Sequence, residues 1–241
     1  MSELARRDVR AVVAQLAAED ADRSGRGRLL LTLGQLLAGS ARSAGARAAL
    51  SGRWLADLVT DLGPHLPVRD LATLSEHTGG LSGDALAEEL VRRASRVTAG
   101  IGAAAGALAA VEFAAPPSLL AAPVQLAAET LAVVAVELKL VAELHVTYGR
   151  APVGTPAQVG AAYLGSWITK KGLDPLSGGG VTAALTSAAK AQLRRRLLRR
   201  LGRNLGSLAP FLAGAVAGAE LNRRETRGLG SSLIAGLHPN R

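Results

Sequence analysis

From Gln125 to Tyr148 the chain reads as one helix that is apolar on nearly every side. Such a helix has no face to offer to water, so the rest of the fold must be built around it. The charges it carries are therefore informative. Glu129, Lys139 and Glu143 share one narrow strip, with Lys139 and Glu143 at i,i+4, whereas Glu137 stands apart among valines and leucines. Helical periodicity continues through most of the chain, and strand alternation is hard to find. Hydrophobic residues make up 49% and aromatics only 2% of the 241 residues. Alanine, leucine and valine thus supply the core, and small side chains let helix axes approach closely. The expected fold is all-α: an Ala/Leu-rich helical bundle with a buried central helix. Cysteine is absent, which excludes disulfides, thiolate metal sites and cysteine nucleophiles.

Punctuation divides the chain into a small N-terminal helical region, 1–77, and a helical core, 78–241. Helices are expected over Leu4–Asp22, Leu29–Leu37 and Trp54–Leu62, the last stopped by Gly63-Pro64. A short helix follows over Asp70–Glu76, and His77-Thr-Gly-Gly80 breaks the chain. Ser82 is placed to cap a long helix running through Arg92, Arg93 and Arg96 to Val111. Pro116-Pro117 interrupts it. The central helix then ends at Gly149, a natural position for a left-handed cap. Pro156 opens a helix to Lys171, Ser177-Gly-Gly-Gly180 is a loop, and Pro210 precedes a helix over Phe211–Leu221 with a weakly patterned segment to Leu237.

Charge is distributed unevenly. Residues 1–97 hold 13 basic and 12 acidic side chains, whereas residues 151–241 hold 13 against 3, so the net +9 lies in the C-terminal third. Its centre is the segment 190–203. At ~100° per residue, Leu193, Leu197, Leu198, Leu201, Leu205 and Leu208 fall within an arc of about 140°. Arg195, Arg196, Arg199, Arg200 and Arg203 fall on the opposite side. A two-faced basic helix of this kind fits an anionic surface. Lipid headgroups rank first, and nucleic acid second, because no helix-turn-helix or zinc finger is present and rings for base stacking are few. Arg194 lies inside the leucine arc and needs a buried partner, for which Glu137 is the candidate.

Other motifs point in several directions. Glu137, Glu143 and His145 lie on one helix, which raises a hydrolase or lipid-modifying enzyme using buried carboxylates as an alternative to a structural ion-pair network. Four histidines without metal-ligand spacing argue against a metal site, and no cofactor is implied. The glycines at 178–180 lack a following P-loop lysine. Gly102-x-x-x-Gly106 and Gly214-x-x-x-Gly218 permit close helix crossing, and in lipid would suggest a homo-oligomer. The uncharged runs 97–111 and 113–128 fall short of the ~20 apolar residues of a spanning helix. They fit buried bundle helices, or a shallow hairpin over 98–128 that dips into a leaflet. The charged N-terminus does not read as a signal peptide, so a cytoplasmic location at the inner face of the cell membrane is expected.

The order of features carries one resemblance. A buried helix with internal glutamates closes in Tyr148-Gly149, a basic helix follows, and then Leu208-Ala-Pro-Phe-Leu-Ala-Gly-Ala-Val-Ala-Gly-Ala-Glu-Leu-Asn222. Over residues 80–235 this resembles the bacterial EcsC family, which has a Tyr-Gly closure and a late Pro-x-x-Gly-Ala-x-x-Gly-Ala-x-x-Asn-like segment. Leu212-Ala213 depart from the glycine the family has there. The resemblance implies a helical, membrane-associated protein and brings no catalytic residues with it. The expected function is non-catalytic, peripheral association with an anionic membrane surface.

Overall fold

A computed structural model describes residues 3–18, 23–44, 53–113, 121–171 and 210–238. Among them are eight α-helices, one 3-10 turn and no strand: α1 (Glu3–Leu16), α2 (Arg23–Ala44), α3 (Arg53–Leu62), the turn Gly63–His65, α4 (Leu71–His77), α5 (Gly83–Phe113), α6 (Ala121–Thr147), α7 (Pro156–Lys170) and α8 (Pro210–Leu237). The all-α bundle is as expected, and α6 is its axis. Helices α1, α2, α3, α5, α7 and α8 all pack on it. From Leu126 to Leu138 every residue is buried, which is the arrangement an all-round apolar helix requires. The helices of region 1–77 share the same core, through Val9, Val13, Leu33, Leu37, Leu58 and Leu62. Gly79 and Gly80, both with positive φ, separate α4 from α5.

Local chemistry sets the helix ends. Asp70 caps α4 by accepting the Thr73 N–H at 2.8 Å. Thr155 and Gln158 close a reciprocal capping box on α7, and Pro156 occupies its first turn. At the end of α6, the Arg150 N–H reaches the His145 carbonyl at 2.8 Å and the Gly149 N–H reaches Val146 at 3.1 Å. This Schellman closure needs a left-handed residue, and Gly149 supplies it at φ 64°.

Three helices differ in extent from the sequence reading. Helix α1 ends at Leu16, where Ala18 tightens into an i→i+3 bond to Gln15. Helix α2 is much longer than Leu29–Leu37. Its glycines Gly27, Gly34 and Gly39 do not interrupt it, because Leu30, Leu33 and Leu37 anchor it on the core. Helix α8 is continuous from Pro210 to Leu237, with no break near Leu221. Its buried stripe passes through Asn222 and Thr226 before Leu229 and Leu233, so two polar residues hide the periodicity. Residues 97–105 belong to α5 and are buried through Val97, Ile101 and Ala105, with α8 as the principal neighbour of that helix. The expected hairpin turn at Pro116-Pro117 lies outside the described residues.

Helices α5 and α8 form the most extensive pair, antiparallel and very close. A Cβ added to Gly218 would lie 2.6 Å from the Gly102 carbonyl oxygen, and one on Gly102 would strike the Gly218 carbonyl in turn. Backbone meets backbone there, so neither residue can carry a side chain without moving a helix. Gly102→Ala is expected to cost about 2–3 kcal/mol in urea unfolding. Gly165→Ala, where nothing lies within 4 Å of the added carbon, should be neutral or stabilise by up to about 1 kcal/mol.

Candidate functional site

The ionisable side chains that α6 carries into the core form two separate clusters. Glu137 is wholly buried. Its Oε2 accepts from the Trp167 indole Nε1 at 2.9 Å, and its Oε1 from Lys171 Nζ at 2.9 Å and Thr226 Oγ1 at 3.1 Å. Trp167 is in α7, one turn before Lys171 at its C-cap, so the helix presents indole and ammonium to one carboxylate. The ammonium also lies 5.9 Å from the Trp167 ring centroid, within cation–π range. One charged and two neutral donors satisfy a carboxylate that is costly to bury without partners.

From Thr226 the polar contacts continue between α5 and α8. Thr226 donates to Glu137, so it accepts from Thr98 Oγ1, 2.9 Å away. Asn222 Nδ2 donates to the Thr98 carbonyl at 3.2 Å and to Glu129 Oε1 at 3.4 Å. The result is a buried line from Glu129 through Asn222, Thr98 and Thr226 to Glu137 and Lys171. Both orientations of the Asn222 amide were open in principle, but two acceptors beside Nδ2 fix the one adopted. Its Oδ1 is buried without a partner among the described residues.

Glu143 heads the second cluster. The Arg69 guanidinium grips it with Nε at 2.8 Å and a terminal nitrogen at 3.0 Å, and Lys139 Nζ lies 2.5 Å away. Arg69 sits in the extended connection before α4, so this bidentate pair ties that connection to the axis. His145 turns elsewhere. Its Nδ1 donates to the Val141 carbonyl at 2.7 Å, and its ring meets Tyr163 edge-on at 5.5 Å.

The trio Glu137, Glu143 and His145 is therefore not gathered into one site. The i,i+4 pairing of Lys139 with Glu143 stands as the spacing implied. Arg194 lies outside the described residues, and the described donors to Glu137 are Lys171, Trp167 and Thr226. The arginines 195, 196, 199, 200 and 203 also lie outside them. Sequence reasoning passed over Lys171, Trp167, Thr226, Asn222 and Thr98. A signal for the last three exists: Gly218, Asn222, Thr226 and Gly230 recur every four residues on α8, a row of small and polar side chains facing a neighbour.

A third group lies near the surface. Tyr148 donates to Asp84 Oδ1 at 2.7 Å, and His238 Nε2 lies 3.2 Å from Oδ2, so the ends of α6 and α8 clasp the start of α5. The tyrosine hydrogen bond, with His238 adding to it, holds the Asp84 carboxyl below the usual range. Burial, and then Asp84 itself, push the Tyr148 phenol upward. Among the described residues no group of three or more His, Asp or Glu could hold a metal ion. No helix there is long and apolar enough to cross a membrane. No protein-family model, curated protein or solved structure matches the chain.

Two outcomes are expected. Glu137→Gln and Lys171→Met should each destabilise by about 3 kcal/mol, and the double variant by much less than their sum. Additive losses in chemical denaturation would separate the two residues. For Asp84 the lowered folded pKa means its contribution is present above the unfolded value near 3.8 and lost as pH falls through the folded value. Asp84→Asn should thus weaken the fold at neutral pH and converge on wild type once pH has fallen through the lowered folded value, read from thermal melts across pH.

Proposed function

We propose that this protein is a non-catalytic helical bundle that adheres peripherally to anionic membrane surfaces through the arginine face of 190–203, at the inner face of the cell membrane. The observation that carries the reading is the segregation on that segment of Arg195, Arg196, Arg199, Arg200 and Arg203 from six leucines. Each arginine brought near an anionic leaflet contributes about 1 kcal/mol, and the interaction decays within a Debye length of about 8 Å at physiological salt. The state of the acidic residues supports the non-catalytic part. Glu137 and Glu143 are buried and engaged by cations, and His145 is turned away from both. A general acid or base needs a proton path to substrate, which a carboxylate enclosed by an indole, an ammonium and a hydroxyl lacks. The EcsC resemblance belongs to the same proposal. It is supported by the Tyr148-Gly149 closure and by Gly218 and Asn222 lying at the α5 contact.

Co-sedimentation with vesicles tests the reading. Binding to phosphatidylserine-containing vesicles, absent on neutral phosphatidylcholine and lost at high salt, is the expected result. Replacing the five arginines by serine should then remove most of the affinity, about 1 kcal/mol per residue. Equal, salt-insensitive binding to both vesicle types would sink the proposal. Salt-sensitive binding to duplex DNA without vesicle binding would transfer it to nucleic acid.

A further inference from the structure

We propose that the contact of His238 with Asp84 is a proton-controlled latch, which fastens the end of α8 to the start of α5 when the imidazole is charged and slackens when it is neutral. The proposal is independent of the membrane reading and uses none of its residues. Three helix ends meet at this point. Asp84 is in the first turn of α5, Tyr148 directly follows α6, and His238 directly follows α8. The phenol donates to one carboxylate oxygen at 2.7 Å and leaves the other, Oδ2, to His238 Nε2 at 3.2 Å. The imidazole also stands 6.3 Å from the Tyr148 ring, tilted by 60°. The His238 N–H reaches the Ile234 carbonyl at 3.0 Å, so the imidazole is carried by the last turn of α8.

This placement gives the charge of the imidazole two attractions. The N-terminus of α5 carries partial positive charge and favours the Asp84 carboxylate, while the C-terminus of α8 carries partial negative charge and favours an imidazolium. Ionised Asp84 and protonated His238 therefore join opposite helix poles as well as each other. A neutral imidazole loses both attractions. Its Nε2–H tautomer keeps one ordinary hydrogen bond, and its Nδ1–H tautomer turns a lone pair toward the carboxylate.

The surrounding charges fix the sign. Glu88, one turn along α5, acts on the Tyr148 phenol and adds to the negative field of Asp84. The phenol itself is pushed upward, so Tyr148 stays neutral where histidine titrates. From α7, Lys170 works in the opposite sense, its Nζ lying 2.6 Å from a Cβ placed on Gly236, two residues before His238. Helix α8 carries no charged side chain between Arg227 and His238. Asp84 is ionised throughout the histidine range, because Tyr148 first, and His238 as well, hold its carboxyl below the usual value. The latch is thus closed above the lowered Asp84 value and slackens as pH rises through the histidine range, about pH 5 to 8. Only the end of α8 is involved. Thr226 on Glu137 and Gly230 against Val91 hold the rest of that helix in both states.

Hydrogen exchange on the full chain tests the latch at the Leu237 and His238 amides. After correction for intrinsic rates, their protection is expected to be about threefold higher near pH 5.5 than near pH 8, as suits a partly exposed ion pair at a helix end. His238→Gln keeps a donor that does not titrate and should flatten this dependence. Asp84→Asn should remove most of it, whereas Tyr148→Phe should leave it in place. Protection that does not change with pH in wild type overturns the proposal. A dependence that survives in His238→Gln belongs to another titrating group and overturns it too. So does a dependence lost in Tyr148→Phe but kept in Asp84→Asn, because the phenol would then be the fastening. His238 lies beyond the last core leucine of α8, so the comparison with His238→Gln holds even where Asp84→Asn loosens the start of α5.

Discussion

An axial helix that is buried on all sides and still carries carboxylates sets the terms for everything packed around it. Each acid on α6 must find donors on whichever element faces it, because an unpaired buried charge costs several kcal/mol. Glu137 draws indole and ammonium from α7 and a hydroxyl from α8. Glu143 draws a guanidinium from the connection before α4. Apolar burial alone would hold these elements near the axis without fixing their rotation or height. A bidentate arginine and an indole N–H accept only narrow geometries, so the polar contacts choose one packing among many that leucine and alanine would tolerate.

The α5–α8 pair shows the same division at closer range. Gly102 and Gly218 bring the backbones together, and that closeness leaves room between the helices only for Thr98, Asn222, Thr226 and similar small side chains. Small residues determine how near the helices lie, and the hydroxyl and amide contacts determine the level at which they meet. With both fixed, residues more than a hundred positions apart in the chain become neighbours.

Much of the fold was legible in the sequence because its signals were local or periodic. Apolar character around the whole of 125–148 required a central helix, and Gly63-Pro64, Gly79-Gly80 and Gly149 marked ends that the backbone does take. The i,i+4 pair Lys139–Glu143 was equally visible. The full length of α8 was not, because Asn222 and Thr226 occupy positions where a hydrophobic pattern expects leucine, and their burial is explained only by a partner helix. The donors to Glu137 were hidden for a related reason. Which cation a buried carboxylate meets depends on how α7 is seated, and spacing within α6 carries no information about that. Gly102 stood out as a small-residue step, but its role became specific only when Gly218 came opposite it.

The network around Glu137 also ties together elements that are far apart in the chain. Lys171 at the C-cap of α7 and Thr226 within α8 meet on the same carboxylate oxygen, at 2.9 and 3.1 Å. One carboxylate on the axis thus sets α7 and α8 relative to each other as well as to itself. Removing its charge releases both helices at the same point, so the loss of the acceptor and the loss of a donor overlap and do not add.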